Sequence, residues 1–396
     1  MKRNLLVALV ALLSAPSLAQ SADPSTPSAG APLPPASATE TSKPITTTQP
    51  DETPKKDTSS WTDKVKLSGK AYLRYSYELN KEAQHANQFN IDRLYLTSEY
   101  FLTDKVRFQV TLDAGDTRNS TGNQVFFAET KNAFAEVKDV LGHGVYLRAG
   151  IIPLAWIPYE EDLWGYRVQG PLPVDRWGYL TSADLGLAVG GSLPSKYGSF
   201  QVNVNNGEGY KATEIAKRKE LQARLTLNPL ASLGGMAAGI FVTGYGSYGP
   251  YDDTGLSPRT KSRVIGEVGI QSTPLTLAAA YVAARDPNAK VKSRYTVGDA
   301  TVVTGSGFYA FGVLNVGALA PAVEGLELIA RYDGLDPDKD SDNNNVGLLI
   351  AGVGYKWNKQ IKSLVDYESV NYGSATGGDT AKPTESRIKL HTEFKF

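Results

Sequence analysis

Glu160, Glu161 and Asp162 stand consecutively in a segment that also carries Arg167, Asp175 and Arg176. Carboxylates and guanidiniums set this close can do one of two things: transfer protons, if a carboxyl has a positioned partner, or form a charged constriction that sorts ions by sign. Catalysis needs a nucleophile or carboxylate set with an oriented base. The three histidines, His85, His143 and His391, fall in a long connection, a short turn and a strand, and none has neighbours at ligand or triad spacing. There is no cysteine, which removes thiol catalysis, thiolate metal sites and a disulfide framework. Neither an enzyme nor a cofactor is expected.

Other motifs have the letters without the chemistry. DPDKDSDNNNVG at 336–347 alternates Asp336, Asp338, Asp340 and Asp342 like a calcium loop, but Ser341 stands at the turn-glycine position and Gly347 at the bidentate-glutamate position, so an exposed polar loop is expected. GLAVGG is followed by neither a lysine nor a helix and is no phosphate cradle. Asn119-Ser120-Thr121 reads as loop. What remains is the charged constriction, and the question becomes which elements could hold one.

The decapeptide RIKLHTEFKF, 387–396, places Ile388, Leu390, Thr392, Phe394 and Phe396 on one face and Arg387, Lys389, His391, Glu393 and Lys395 on the other. A period of two with one oily and one charged side is a strand that faces either a core or, in a membrane barrel, lipid outside and water within. The same alternation appears in 65–78, in 93–100 and in 105–114. It continues near 127–138, 144–152, 183–193, 198–206, 217–228, 235–246, 260–271, 274–284, 303–316, 322–333, 346–357, 361–370 and 386–396, which makes sixteen strands. Connections alternate between short ones, at 102–104, 138–144, 194–198, 228–235, 271–274, 317–322 and after Trp357, and long ones, at 79–88, 115–126, 153–182, 207–216, 247–259, 285–302, 334–345 and 371–385. Sorting by length in this way is expected of an even-stranded transmembrane barrel with both termini on the short-turn side. Outward aromatics at strand ends, Tyr75 and Tyr77 at one rim and Tyr100, Tyr355, Trp357, Phe394 and Phe396 at the other, fit two interfacial girdles.

The remaining features agree with export. MKRNLLVALVALLSAPSLA has a basic start, a short apolar run and a small-x-small cleavage site, so residues 1–19 read as a signal peptide. Residues 20–60 are rich in Pro, Ser and Thr and read as a disordered periplasmic segment, and 61–396 as the barrel. Lysine plus arginine equals aspartate plus glutamate at 41 each, which gives no sign of a nucleic-acid surface. A barrel of sixteen strands encloses water. In this register Arg74, Arg93, Arg107, Arg148, Arg224, Arg263 and Arg331 line the lumen, with Glu160, Glu161, Asp162, Arg167 and Arg176 at the constriction. Pro153, Trp156, Pro158, Trp164, Trp177 and Tyr179 give that segment the content of a packed loop rather than a hydrated one.

The runs IDRLYLTSEYFLTDKVRFQVTLDAG (91–115), AFAEVKDVLGHGVYLRAGIIPLAWIPYEE (133–161), DLGLAVGG with FQVNVNNGEGY (184–210) and LELIARYDGLDPD (326–338) resemble the phosphate-selective porin family, in pattern more than in identity. The resemblance implies a homotrimeric outer-membrane channel of sixteen strands whose third extracellular loop, here 153–182, folds into the lumen. It also implies lipid and lipopolysaccharide as surroundings, and an aromatic Phe396 offered to the outer-membrane assembly machinery. Phosphate specificity does not carry over, because the third loop holds four acids, Glu160, Glu161, Asp162 and Asp175, beside only Arg167 and Arg176, where the family is lysine-rich. The expectation is therefore a passive channel for small hydrophilic solutes and ions in the outer membrane of a Gram-negative bacterium, with the sign of selectivity open. The alternative is a non-conducting barrel acting as an adhesin or envelope tether.

Overall fold

In the structure, a computed structural model, the described residues are 60–80, 87–118, 124–142, 144–214, 216–252, 259–287, 302–374 and 383–396. The expected signal peptide, the Pro-rich segment up to residue 59, His85, His143 and the 119–121 sequon lie outside them.

Sixteen antiparallel strands close into one barrel in which each pairs with its sequence neighbours and β1 pairs β16. They are β1 (Val65–Glu78), β2 (Asn87–Phe101), β3 (Val106–Arg118), β4 (Gln124–Lys138), β5 (Tyr146–Pro153), β6 (Ala183–Ser192), β7 (Gly198–Asn205), β8 (Glu220–Leu227), β9 (Ile240–Asp252), β10 (Arg259–Gln271), β11 (Leu275–Pro287), β12 (Val302–Asn315), β13 (Leu326–Asp336), β14 (Val346–Lys356), β15 (Ile361–Tyr372) and β16 (Glu385–Lys395). Closure leaves no edge, so every strand's backbone groups find partners within the sheet, which a hydrocarbon surrounding would require. At the seam the chain's own aromatic finishes the ladder. Phe396 N–H donates to the Gly69 carbonyl at 3.1 Å, and Gly69 N–H donates to the Phe396 carbonyl at 2.8 Å. The Phe396 ring takes the place a Cβ at position 69 would fill, so glycine there lets the ring lie against the neighbouring backbone.

The alternation places apolar side chains outside, as expected. Phe108, Val110, Leu187, Val264, Val268, Phe308, Leu349 and Val353 are all exposed on the outer face. Strand ends differ from the expectation. β3, β4 and β9 run well into 115–126 and 247–259, because residues such as Thr117 and Gln124 are paired as strand without carrying an apolar outer face. β9 also begins later than expected, at Ile240, after two short 3-10 turns at Ala231–Leu233 and Ala237–Gly239.

The inner wall departs most from the expected pattern. It is polar along β1–β4 and β15–β16, but on β9–β14 it is largely apolar: Phe241, Tyr245, Ile265, Ala278, Val282, Tyr309, Phe311, Ile329, Leu348 and Ile350 are buried there. A wet lumen wall would not use such residues. They are covered by the segment that follows β5, and the wall and segment together form the main hydrophobic cluster of the protein.

Candidate functional site

The segment 154–182 contains two helices, α1 (Ile157–Trp164) and α2 (Pro173–Arg176), and a 3-10 turn at Arg167–Gln169. Pro158 sits in the first turn of α1, where its missing N–H is no loss, and Gly165 ends the helix in the left-handed conformation at φ 67°, its N–H returning to the Glu161 carbonyl at 2.9 Å. The helical period decides which acids face where. Ile157, Glu160, Leu163 and Trp164 share the buried face, whereas Glu161 and Asp162 point away from it.

The segment is held by side chains from the wall. Arg224 donates to the Ala155 carbonyl (2.9 Å), Arg263 to the Tyr179 carbonyl (3.2 Å) and Arg331 to the Pro171 carbonyl (2.8 Å), and Lys362 reaches the Gly165 carbonyl. In return Tyr159 donates to Glu267 (2.9 Å), Tyr166 to Glu327 (2.6 Å), and Gln169 and Arg176 to Glu368 (3.0 and 3.1 Å). Inward glycines make room for its rings. Trp177 lies against Gly307, Tyr179 against Gly305 and Tyr166 against Gly354, each ring where a Cβ would otherwise stand. A glycine in a strand weakens the strand, and here each one seats an aromatic side chain instead.

This arrangement separates the expected site residues into two groups. Arg224, Arg263 and Arg331 do not line open space: they are buried beneath the segment, their charge met by backbone carbonyls and, for the last two, by Asp286 (2.7 Å) and Asp333 (2.6 Å). Glu160 is also removed from any channel-lining position. It is fully buried beside Glu267 and Tyr309, accepting a hydrogen bond from the Trp156 indole at 3.1 Å. Asp162 is exposed on the short-turn side of the segment, near Gly165, Tyr166 and Lys356.

Arg74, Arg93, Arg107 and Arg148 stand on the opposite wall, each with a carboxylate. Arg74 pairs with Asp92 (2.8 Å), Arg93 with Asp113 (2.8 Å), and Arg107 and Arg148 share Glu136 (2.7 Å each), Arg107 also reaching Glu99. Arg148 lies 4.1 Å from the Tyr146 ring centroid, a cation–π contact.

Two cavities lie between this wall and the segment, and they share Tyr72. The one toward the long loops, about 260 Å³, is lined by Arg74, Arg93, Arg167, Arg176, Arg387 and Lys389 with Asp92 and Glu368. The one toward the short turns, about 360 Å³, is lined by Lys70, Lys131 and Lys395 with Glu161, Tyr95 and the hydroxyls of Thr97 and Thr111. Arg167 from the upper lining and Glu161 from the lower are joined by a 2.7 Å ion pair, so the narrowing between the cavities is bounded by that pair and by Tyr72 with Tyr95.

Several of these residues were not singled out by sequence reasoning. Tyr72 and Tyr95 occupy inward positions in the expected register, and a ring on the charged face is a readable signal. Asp92 and Lys131 are different. Each is the extra residue of a β-bulge, because the register steps from Tyr72↔Arg93 to Leu73↔Ile91 and from Thr111↔Asn132 to Leu112↔Thr130. Period-two counting cannot place a residue that breaks the period. Lys389 and Arg387 converge on Glu368 with Arg176, and His391 lies buried against Asp366 at 2.7 Å. In the 336–347 loop Asp338 is buried and accepts from Asp340 N–H and the Ser341 hydroxyl, an internal turn, and the described residues hold no metal-ligand cluster.

No protein-family model and no curated protein sequence matches the chain. Solved structures do. The anion-selective porin from Comamonas acidovorans aligns over 84% of this chain and 99% of its own at 12% identity, with a TM-score of 0.60. OmpF of Salmonella typhi in complex with daunomycin aligns over 85% and 99% at 14% identity with a TM-score of 0.59, and OmpT of Vibrio cholerae in its trimer form over 84% and 99% at 11% and 0.54. The barrel shares the porin fold. At these identities the likeness is one of fold alone.

The burial of Glu160 has a consequence for pH. Removal from water, and then the neighbouring Glu267 carboxylate, hold its carboxyl well above the ordinary range. A raised folded-state value means the buried acid is retained without penalty below about pH 4.3, and that stability is lost as pH rises from there through the raised value. Glu160→Gln keeps the shape and the acceptor for Trp156 without the charge. Melting followed by tryptophan fluorescence should show the wild-type protein weakening across that rise and the variant weakening less over the same interval. Parallel curves would mean that Glu160 does not titrate there.

Proposed function

We propose that this chain is an outer-membrane porin, a passive diffusion channel for small hydrophilic solutes and ions, with a preference for anions such as chloride and phosphate. The observation that carries the reading is the lining of the two cavities that meet at Tyr72: nine basic side chains against three acidic ones, Asp92, Glu161 and Glu368. Rings of charge set ion preference in a water-filled constriction, and charges act more strongly where water is scarce. The path runs between the 154–182 segment and the wall of β16 and β1–β4, so Glu161, Arg167 and Arg176 are its constriction residues from the segment. Arg74 and Arg93 line it from the wall, and Arg107 on β3 and Arg148 on β5 stand outside the lining of both cavities, paired on Glu136. No bond is made or broken in transport, and no cofactor is called for.

Export through residues 1–19, insertion into lipid and lipopolysaccharide, and assembly as a homotrimer belong to the same proposal. Support comes from the apolar outer face, from the porin fold, and from the trimer form described for OmpT of Vibrio cholerae. Phe396, seated against Gly69 at the seam, is the residue that in this reading an assembly factor would contact.

The test is a reversal potential in a potassium chloride gradient across a planar bilayer. The potential should take the sign of the chloride equilibrium potential. Glu161→Gln, which removes an acid from the narrowing and leaves Arg167 with only the longer pair to Asp175 (3.8 Å), should move it further in that direction, whereas Glu160→Gln should leave it in place. A potential of the potassium sign would overturn the anion preference. Absence of conductance would favour a non-conducting barrel that acts as an adhesin or tether.

A further inference from the structure

We infer that the cavity on the short-turn side of the narrowing is a binding station for small organic anions with a flat apolar body, aromatic carboxylates above all. The inference rests on the porin reading and names a solute class for its passage. Tyr72 and Tyr95 stand edge to face, their centroids 5.8 Å apart and planes at 86°, and together give the cavity an aromatic wall. Lys131 holds its ammonium 4.9 Å from the Tyr95 ring centroid and 3.4 Å from its hydroxyl. The bulge that displaces Lys131 from the regular register puts this charge beside the ring.

The state of the cations separates this cavity from its neighbour. Arg74, Arg93, Arg167 and Arg176 each pair with a carboxylate. Among the described residues no carboxylate lies within ion-pair distance of Lys70 or Lys131, and both line the cavity. Asp162 and Asp113 act on these two ammoniums only from beyond ion-pair distance, so both can still pair with an anion that enters. The Thr97 and Thr111 hydroxyls are hydrogen-bonded to each other at 3.0 Å, which leaves one O–H of the pair as a further donor at the same level.

The shape of the lining then selects among anions. A small inorganic anion is held by donors converging from all sides, and an aromatic wall offers it nothing in exchange for its hydration shell. A carboxylate on a ring uses both parts: the charge meets Lys131 or Lys70 and the threonine hydroxyls, and the ring lies against Tyr95 and Tyr72 in the offset or edge-on geometry that aromatic pairs adopt. A volume of about 360 Å³ accommodates one such molecule, within the range of small-ligand sites. Lys395 and Phe396, at the end of the chain, line its side toward the short turns, the way out that a transported solute must have.

The experiment uses the full chain in planar bilayers, with chloride carrying the current and sodium benzoate, sodium acetate or benzamide added as probes. Benzoate should half-block the chloride current at a concentration roughly tenfold below acetate, the ratio one well-placed ring contact supplies. Benzamide, a ring without charge, should not block. Tyr95→Leu and Lys131→Gln should each move the benzoate value toward that of acetate. Equal block by benzoate and acetate in the wild-type protein would overturn the inference whatever the variants do, and leave the porin reading standing. Benzoate discrimination that survives both substitutions would overturn the assignment to this cavity. Absence of any chloride current would overturn the porin reading, and this inference with it.

Discussion

Deletion of residues 158–178 will raise single-channel conductance severalfold and, in the same protein, lower the temperature at which the barrel unfolds. The first effect follows because the deleted stretch supplies, from Arg167 to Arg176, one side of the cavity toward the long loops and, through Glu161, part of the other. The second follows because that stretch is also the cover of an apolar wall. Leu163, Trp164, Val168, Leu172, Val174 and Trp177 are buried against Phe311, Ile350, Leu348 and their neighbours, and each large apolar side chain removed from water contributes roughly 1.5–3 kcal/mol. Without them the inner faces of β12 and β14 meet water, and Arg331 loses its Pro171 carbonyl acceptor. No strand is touched, so a folded barrel of reduced stability is expected rather than none. Bilayer recording and the temperature at which unboiled gel mobility changes to the boiled form read the two effects separately. Unchanged conductance would place the segment outside the path, and unchanged heat resistance would mean the apolar wall needs no cover.

Arg331→Ala will be among the most destabilising single substitutions in the barrel, costing about 3–5 kcal/mol. Arg331 and Asp333 are each only 1% exposed, two positions apart on the inner face of β13, and joined by bonds of 2.8 and 2.6 Å. The arginine spends a third bond on the Pro171 carbonyl. Truncating it strands a buried carboxylate and a buried carbonyl together, and the cost of unpaired buried charge exceeds the net value of the pair. The double variant Arg331→Met with Asp333→Leu removes both charges and should recover most of the loss. Urea unfolding in detergent, followed by tryptophan fluorescence, measures both. A single variant within about 0.5 kcal/mol of wild type would contradict the anchoring role given to Arg331.

The barrel was legible in the sequence because two-sided solvation writes itself as a period of two, and stretches such as 106–114 or 387–396 admit no other reading. Its rims were less so. Beyond the apolar band, residues like Arg118 and Gln124 remain paired while nothing constrains their outer face to be apolar. The site was half legible. Arg74, Arg93, Arg107 and Arg148 stand on the inner face where alternation places them, and of these Arg74 and Arg93 line a cavity. Arg224, Arg263 and Arg331 obey the same alternation yet lie beneath the segment, because period two reports only inward or outward and says nothing of what covers the inner face. Apolar inward residues such as Phe311, Ile350 and Leu348 were the available sign of a cover. Glu160 was grouped with Glu161 and Asp162 by adjacency, and the turn of α1 separates them: at about 100° per residue three consecutive side chains cannot share one face. Recognising IPYEEDLW as helix, with Pro158 at its start and Gly165 at its end, would have placed Glu160 with Leu163 and Trp164.

The claim on which the account turns is that solutes pass between the 154–182 segment and the wall of β1–β4, and not along the apolar wall of β12–β14. A chain without cysteine allows a direct test. Thr97→Cys places a single thiol in the lining of the cavity on the short-turn side, and Leu348→Cys places one on the inner face of β14 beneath the segment. With each variant conducting in a planar bilayer, a charged methanethiosulfonate is added to the bath. The account predicts that Thr97→Cys loses most of its current within the recording and that Leu348→Cys is unaffected. Block of Leu348→Cys with Thr97→Cys untouched would contradict it.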